Sequence, residues 1–315
     1  MNKDIYFDLH CDTLTRHYDK NDLMRDTLNI DSNIIGLTRI PSSHLYGQFF
    51  AIFVPDSYRG EAAEEYFNNN AQSFIRQCQK FDCSTERCQN YEEIVSAYEK
   101  GKNAAVLTIE GGAAFGGKPE NVEKARELGV CACTLTWNGE NELASGNVTS
   151  EGLKPFGKEC IKEMERNNII VDVSHLNDNS LYDVLKVAKR PVIATHSNAR
   201  SITKHLRNLK DDQIKEIIDM KGLIGLNYCI DFLNDNPQKA CLEDVYRHAE
   251  HILELGGEDV LALGSDFDGC TVFPDLDSLQ KSFDLGKFFL SKGIDRQTVE
   301  KIMGRNALSF FREYF

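Results

Sequence analysis

Residues 169–200 read IIVDVSHLNDNSLYDVLKVAKRPVIATHSNAR, and the order of side-chain types along them decides the fold. A short apolar, β-branched run (169–173) ends on Ser174-His175, and a second (191–195) ends on His196. Runs of this length and composition predict strands. Between them Asn177, Asp178 and Asn179 are candidate helix caps, and Leu181, Val184, Leu185, Val187 and Ala188 recur at helical spacing. Lys189-Arg190-Pro191 then stops the helix. The unit is β-α-β, and its right-handed crossover makes the strands parallel, so His175 and His196 emerge on the same edge of the sheet. One histidine at a strand end is more often a hydrogen-bonded turn residue. Two on one rim point to a metal.

The same pattern extends in both directions. Residues 4–10 (DIYFDLH) deliver His10-Cys11-Asp12, residues 104–109 (AAVLTI) deliver Glu110, and residues 130–136 (VCACTLT) deliver Trp137-Asn138. Residues 260–264 (VLALG) end on Ser265-Asp266, while residues 48–54 (QFFAIFV) and 222–227 (GLIGLN) complete a set of eight strands. Helical patterns separate them, near 60–81, 91–101, 122–128, 155–166, 211–220, 242–255, 278–292 and 296–311. Eight such alternations in 315 residues predict a single-domain α/β fold, a (β/α)8 TIM-type barrel over residues 1–315. A doubly wound open sheet also alternates. However, His10, Asp12, Glu110, His175, His196 and Asp266 all close apolar runs, and only a closed barrel brings those ends around one mouth. The polar segment between the first two strands, with Gly36 and Gly47, reads as a long excursion that contributes to the pocket.

Composition narrows the partners. A net charge of −13 opposes binding to nucleic acid or an anionic membrane, and no apolar run approaches a bilayer span. The opening MNKDIYFDLHCD lacks a basic segment followed by an apolar one, so the expected location is the cytoplasm. Ten cysteines are scattered without a CxxC pair and read as reduced thiols. The sequence leaves self-association into a homodimer open.

Three imidazoles and two carboxylates exceed the needs of one tetrahedral zinc site, so His10, Asp12, Glu110, His175 and His196 point to two ions. Glu110 lies between the amino-terminal and carboxyl-terminal pairs and is the expected bridge. His10 and Asp12, two apart on an extended end, point the same way. A bridged pair activates water and polarises a carbonyl, which is the chemistry of amide or ester hydrolysis. Asp266 is left over, either to carry the proton or to orient a ligand histidine.

The segments DLHCD (8–12), TIEGG (108–112), DVSH (172–175), ATHSNAR (194–200) and GSDFDG (264–269), in this order over the whole chain, resemble the membrane dipeptidase (renal dipeptidase) family of zinc peptidases. The resemblance implies a (β/α)8 barrel, two Zn2+ ions and hydrolysis of dipeptides, with tolerance for a D residue at the carboxyl-terminal position. It also implies the five ligand roles, the bridge at Glu110, and a substrate-carboxylate role for Arg207. The chain departs from many members in carrying Trp137 where they have a histidine near the oxyanion. Trp137 either donates its indole N–H or walls the pocket, with Asn138 as the alternative donor. The aromatic that often follows the seventh strand is matched only by Tyr228 or Cys229. Two other readings stand beside this one: a cyclic-amide hydrolase or deaminase on a similar barrel, and a metal-binding homologue without activity. Asp12 in place of a second strand-one histidine disfavours the former, as does the lack of a lysine after the fourth strand.

Overall fold

The computed structural model describes residues 4–40 and 44–315. Its strands are β1 (Asp4–Cys11), β2 (His44–Phe53), β3 (Thr85–Arg87), β4 (Asn103–Glu110), β5 (Val130–Thr134), β6 (Ile170–Asp172), β7 (Ile193–Ala194), β8 (Leu223–Leu226) and β9 (Leu261–Leu263). All pair in parallel, in the order β2-β1-β9-β8-β7-β6-β5-β4, and β2 pairs with β4 to close an eight-stranded barrel. The (β/α)8 expectation holds, with one strand more than the periodicity predicts. β3 is only three residues long and pairs with the start of β4 (Thr85 with Asn103), below the point where β5 joins at Leu107. TER carries no apolar alternation, so nothing in the sequence marks it as a strand.

Helices cover the outside: α1 (Gly60–Lys80), α2 (Tyr91–Glu99), α3 (Glu120–Glu127), α4 (Pro155–Arg166), α5 (Asp178–Val187), α6 (Asp211–Asp219), α7 (Ile230–Leu233), α8 (Leu242–Glu254), α9 (Leu279–Ser291), α10 (Arg296–Glu300) and α11 (Asn306–Tyr314). The expected helix over 296–311 is thus broken between α10 and α11, where Gly304 leaves helical φ/ψ. A Cβ there would come within 3.0 Å of the Phe7 backbone nitrogen. The close approach of this turn to β1 therefore requires glycine. At α5 the cap is Asn177, whose side chain accepts from the Ser180 N–H.

Alternate strand residues divide into two buried layers. Leu107, Ile109, Val171, Ile224, Leu261 and their neighbours pack outward against the helices, whereas Phe7, Leu9, Phe49, Val106, Ile170 and Leu223 fill the barrel together with residues of α11. Phe311 of α11 is fully buried, with its ring centroid 5.6 Å from Phe7 and 5.5 Å from Phe49. The C-terminal helix therefore closes the end of the barrel away from the histidines. Phe311→Ala is expected to cost ~3–5 kcal/mol of unfolding free energy in urea denaturation, as for other buried aromatic truncations; a loss below about 1 kcal/mol would show that α11 is not part of the core.

Candidate metal centre

Parallel strands bring their carboxyl ends to one rim, and the polar residues that close β1, β4, β6, β7 and β9 meet there. His10, Asp12, Glu110, His175, His196 and Asp266 are all buried. Glu110 stands between the histidines, with Oε2 3.5 Å from Nε2 of His10 and Oε1 2.7 Å from Nε2 of His175 and 3.8 Å from Nε2 of His196. Its two oxygens thus face opposite sides of the cluster. Asp12 Oδ2 lies 3.4 Å from His10 Nε2, and the His10 and His196 rings stack at 3.8 Å. Among the described residues, two groups bring their ligand atoms close enough to hold an ion: His10, Glu110 and His196, and His10, Asp12 and Asp266. Asp266 therefore stands at the same mouth, beside His10 and Asp12.

The hydrogen bonds behind the histidines fix which nitrogen faces the site. His175 Nδ1 lies 2.9 Å from Asn138 Oδ1, an oxygen that also accepts from Asn147 Nδ2 at 2.6 Å. His196 Nδ1 lies 2.7 Å from Thr195 Oγ1, and that hydroxyl gives its proton to Asp172 Oδ2 at 2.5 Å. Both Nδ1 atoms therefore donate, and each neutral ring turns an Nε2 lone pair inward. Burial, with Arg207 and His10 nearby, holds the pKa of His175 well below the usual imidazole value; burial and the same two cations do so for His196. Two lone pairs 2.9 Å apart, with a carboxylate oxygen 2.7 Å from one of them, repel unless a cation lies between. His10 Nε2 and Asp12 Oδ1 are buried without a hydrogen-bond partner. The residues present fit metal ions.

Electrostatics on the other side of the cluster agree. Burial raises the pKa of Asp12 to about 6, with Glu110 adding to the effect, and burial raises that of Asp266 to about 7 against the pull of His10. Burial opposes a charge on His10, but Asp12 and Glu110 outweigh it and raise its pKa well above the usual value. Asp12 and Asp266, crowded out of water, lack the positive charge they need. Three residues at the rim adopt left-handed backbone, His175 at φ 69°, Asp266 at φ 60° and Asp268 at φ 69°. For residues with a Cβ this conformation is strained, and it persists where the surroundings impose it. Gly269 explains part of the crowding, since a Cβ there would lie 1.9 Å from Asp12 Oδ2 and 2.7 Å from Asp266 Oδ1.

Several supporting residues are not singled out by the sequence reading. Asp172 is buried and accepts from Thr134 Oγ1, Thr195 Oγ1 and the Ser174 and Thr195 N–H groups, at 2.5–3.0 Å. Asp8 accepts from the N–H and hydroxyl of Ser265, at 2.9 and 2.5 Å, and ties the end of β1 to that of β9. The available signal is the same for both: a lone carboxylate inside an apolar run, two or three residues before a ligand histidine. Asn138, expected beside the oxyanion, has its oxygen committed to His175 and Asn147.

Arg207 is buried, with Nη2 3.3 Å from the His196 carbonyl, and its Nε has no partner. No carboxylate pairs with it among the described residues. Trp137 is half-buried, packed edge-on against Phe53 at 5.0 Å and 6.4 Å from His175. Tyr228 is a correction. It is fully buried, its hydroxyl pairs with Ser282 on α9 at 3.1 Å, and its ring packs on Phe267. Alternation at the end of β8 turns it outward toward the helices, so it does not touch the pocket. Asp12, Glu110, His175 and Asp266 floor a cavity of about 480 Å3 that Thr15, Arg16, Phe53, Trp137 and Phe232 help to wall.

A closed parallel barrel whose mouth holds buried lone pairs and carboxylates in need of cations defines a metal-binding barrel protein. The model of the Membrane dipeptidase family (Peptidase family M19) matches residues 1–314. The chain belongs to that family. It is 32% identical over 234 residues to dipeptidase tcpJ of Claviceps purpurea, covering 72% of this chain and 55% of that one, so it spans about half the length of this curated relative. Among solved structures, a family M19 metallo peptidase described as dipeptidase AC superposes with a TM-score of 0.91 at 26% identity, covering 98% of each chain. A metallo peptidase from Rhodobacter sphaeroides, liganded with a phosphinate mimic of the dipeptide L-Ala-D-Ala, superposes with a TM-score of 0.93 at 25% identity over the full length of both. No described helix is long and apolar enough to cross a membrane.

The Asp172–Thr195–His196 chain yields a test. Thr195→Val removes the hydroxyl at nearly constant volume and is expected to weaken zinc affinity ~10–100-fold in chelator competition, whereas Thr195→Ser keeps it near wild type. Equal affinity in the valine variant would mean that the hydroxyl does not orient His196.

Proposed function

We propose that this chain is a binuclear zinc dipeptidase that accepts a D residue at the carboxyl-terminal position of its substrate. The observation that carries the reading is the convergence of His10, Asp12, Glu110, His175 and His196 on one buried cluster with Glu110 facing both sides of it. His10 and Asp12 would hold one ion, His175 and His196 the other, with Glu110 shared between them. When bound, the zinc pair supplies Lewis acidity at the scissile carbonyl and water activated for attack.

The remaining steps belong to side chains. Asp266 takes the proton of the attacking water and returns it to the leaving amine, a role supported by its place within the His10–Asp12 group. Arg207 receives the free carboxylate, supported by its burial without an acidic partner and by the planar fork a guanidinium offers. Trp137, packed on Phe53, shields the reacting centre from bulk water, and its indole N–H, unpartnered among the described residues, can donate to the oxyanion. Tolerance of a D residue is supported by the L-Ala-D-Ala mimic carried by the Rhodobacter sphaeroides protein. A cytoplasmic location is supported by ten cysteines that are all free.

The test is hydrolysis by zinc-loaded protein of L-Ala–L-Ala, L-Ala–D-Ala, their carboxamides and tri-alanine. The free-acid dipeptides are expected to turn over and tri-alanine to react poorly, because a third residue moves the carboxylate away from Arg207. Arg207→Ala should lower kcat/KM on free acids by about 2–5 kcal/mol, the cost of leaving a buried charge unpaired, and much less on carboxamides. No turnover of any dipeptide would overturn the reading, and equal loss on acids and carboxamides would remove Arg207 from the carboxylate role.

A further inference from the structure

The cavity above the metal ligands has two ends. At one, Asn138 and Phe232 also line the neighbouring cavity that contains Arg207. At the other stand Thr15 and Arg16, on the loop after β1, three strands around the barrel from the β7 strand that leads to Arg207. A dipeptide whose carboxylate lies at Arg207 and whose scissile carbonyl lies over the histidines must extend its amino-terminal residue toward the second end. That placement rests on the dipeptidase reading above. Arg16 is the only lysine or arginine among the residues lining this cavity.

The hydrogen bonds of Arg16 leave most of its guanidinium uncommitted. Nη1 reaches the carbonyl and Oδ1 of Asp268, both at 3.2 Å, while Nη2 and Nε have no partner among the described residues. Asp268 does not depend on this contact. Its carboxylate, fully buried, already accepts from Thr13 Oγ1 at 2.6 Å and from the N–H groups of Ile34 and Ile35 at 2.8 and 3.3 Å. Asp268 thereby pins the excursion after β1 to the loop after β9, and Nη1 fixes the plane of the guanidinium at the cavity edge. The Arg16 side chain remains 38% exposed. A cation held in one orientation, with two donors free and a cavity in front of it, is built to receive an anion.

We propose that Arg16 is a specificity-determining residue, which selects dipeptides whose amino-terminal residue carries an acidic side chain. The side-chain carboxylate of an amino-terminal Glu or Asp would accept from Nη2 and Nε, while Phe53 and the methyl of Thr15 flank its methylenes. The substrate class is then a dipeptide with two anionic ends, one for each arginine.

The test compares kcat/KM of the zinc-loaded full chain on L-Glu–L-Ala and L-Gln–L-Ala, which differ only in the charge of the amino-terminal side chain. Wild type is expected to favour the Glu substrate by roughly tenfold or more, the scale of one charge-assisted hydrogen bond. In Arg16→Gln the ratio falls toward one. Arg16→Lys keeps the charge without the fork and gives a ratio between the two. Melting temperatures of the variants separate loss of selectivity from loss of the loop clamp. A wild-type ratio near one, or an unchanged ratio in Arg16→Gln, overturns the assignment while leaving the dipeptidase reading intact. Hydrolysis of neither substrate, nor of the alanine dipeptides, overturns both.

Discussion

The rim of this barrel depends on an unresolved electrostatic conflict. Three carboxyl groups, from Asp12, Glu110 and Asp266, and the inward-facing Nε2 lone pairs of His175 and His196 are packed a few ångströms apart with almost no access to water. Negative charge and lone pairs so arranged cost free energy, and hydrogen bonding alone does not relieve it, because His10 Nε2 and Asp12 Oδ1 are buried without making a hydrogen bond. Divalent cations relieve all of it at once. The cluster is thus a site whose stability is tied to what it binds.

The surroundings hold the conflict in place rather than dissolve it. Asp172 and Asp8, each saturated with donors, keep β6, β7, β9 and β1 in register at their carboxyl ends, and the Thr195 hydroxyl passes that order to His196. Asn138 does the same for His175 from the loop after β5. The left-handed backbone at His175 and Asp266 aims their side chains into the mouth, and a rigid barrel beneath, filled by Phe7, Phe49 and Phe311, supplies the support that such strain requires. Ligand, supporting and core residues therefore form one connected structure.

Much of this was legible in the sequence because barrel strands are buried on both faces and read as apolar runs, so a polar residue that ends such a run stands out. The barrel, and the meeting of His10, Asp12, Glu110, His175, His196 and Asp266, followed from that contrast. What escaped had no such contrast. β3 is polar throughout and exists only because β4 begins below the level at which β5 can pair. Tyr228 carries the right side-chain type two positions past β8, but strand alternation turns it to the helices. Asn138 could be placed at the rim, but not the direction of its amide, which depends on Asn147, nine residues further along the same loop. Arg16 lies in a polar excursion where sequence pattern is silent, and its significance comes from Asp268, 252 residues away.

The central claim is that Glu110 joins two ions within one site. It is tested most directly by zinc per chain, measured by elemental analysis on purified protein loaded with zinc and freed of loosely bound metal, for the wild type and for Glu110→Gln. The account predicts about two equivalents in the wild type, since five ligands exceed one tetrahedral site, and reduced occupancy of both positions in the variant. One tightly held equivalent, unaffected by Glu110→Gln, would contradict it.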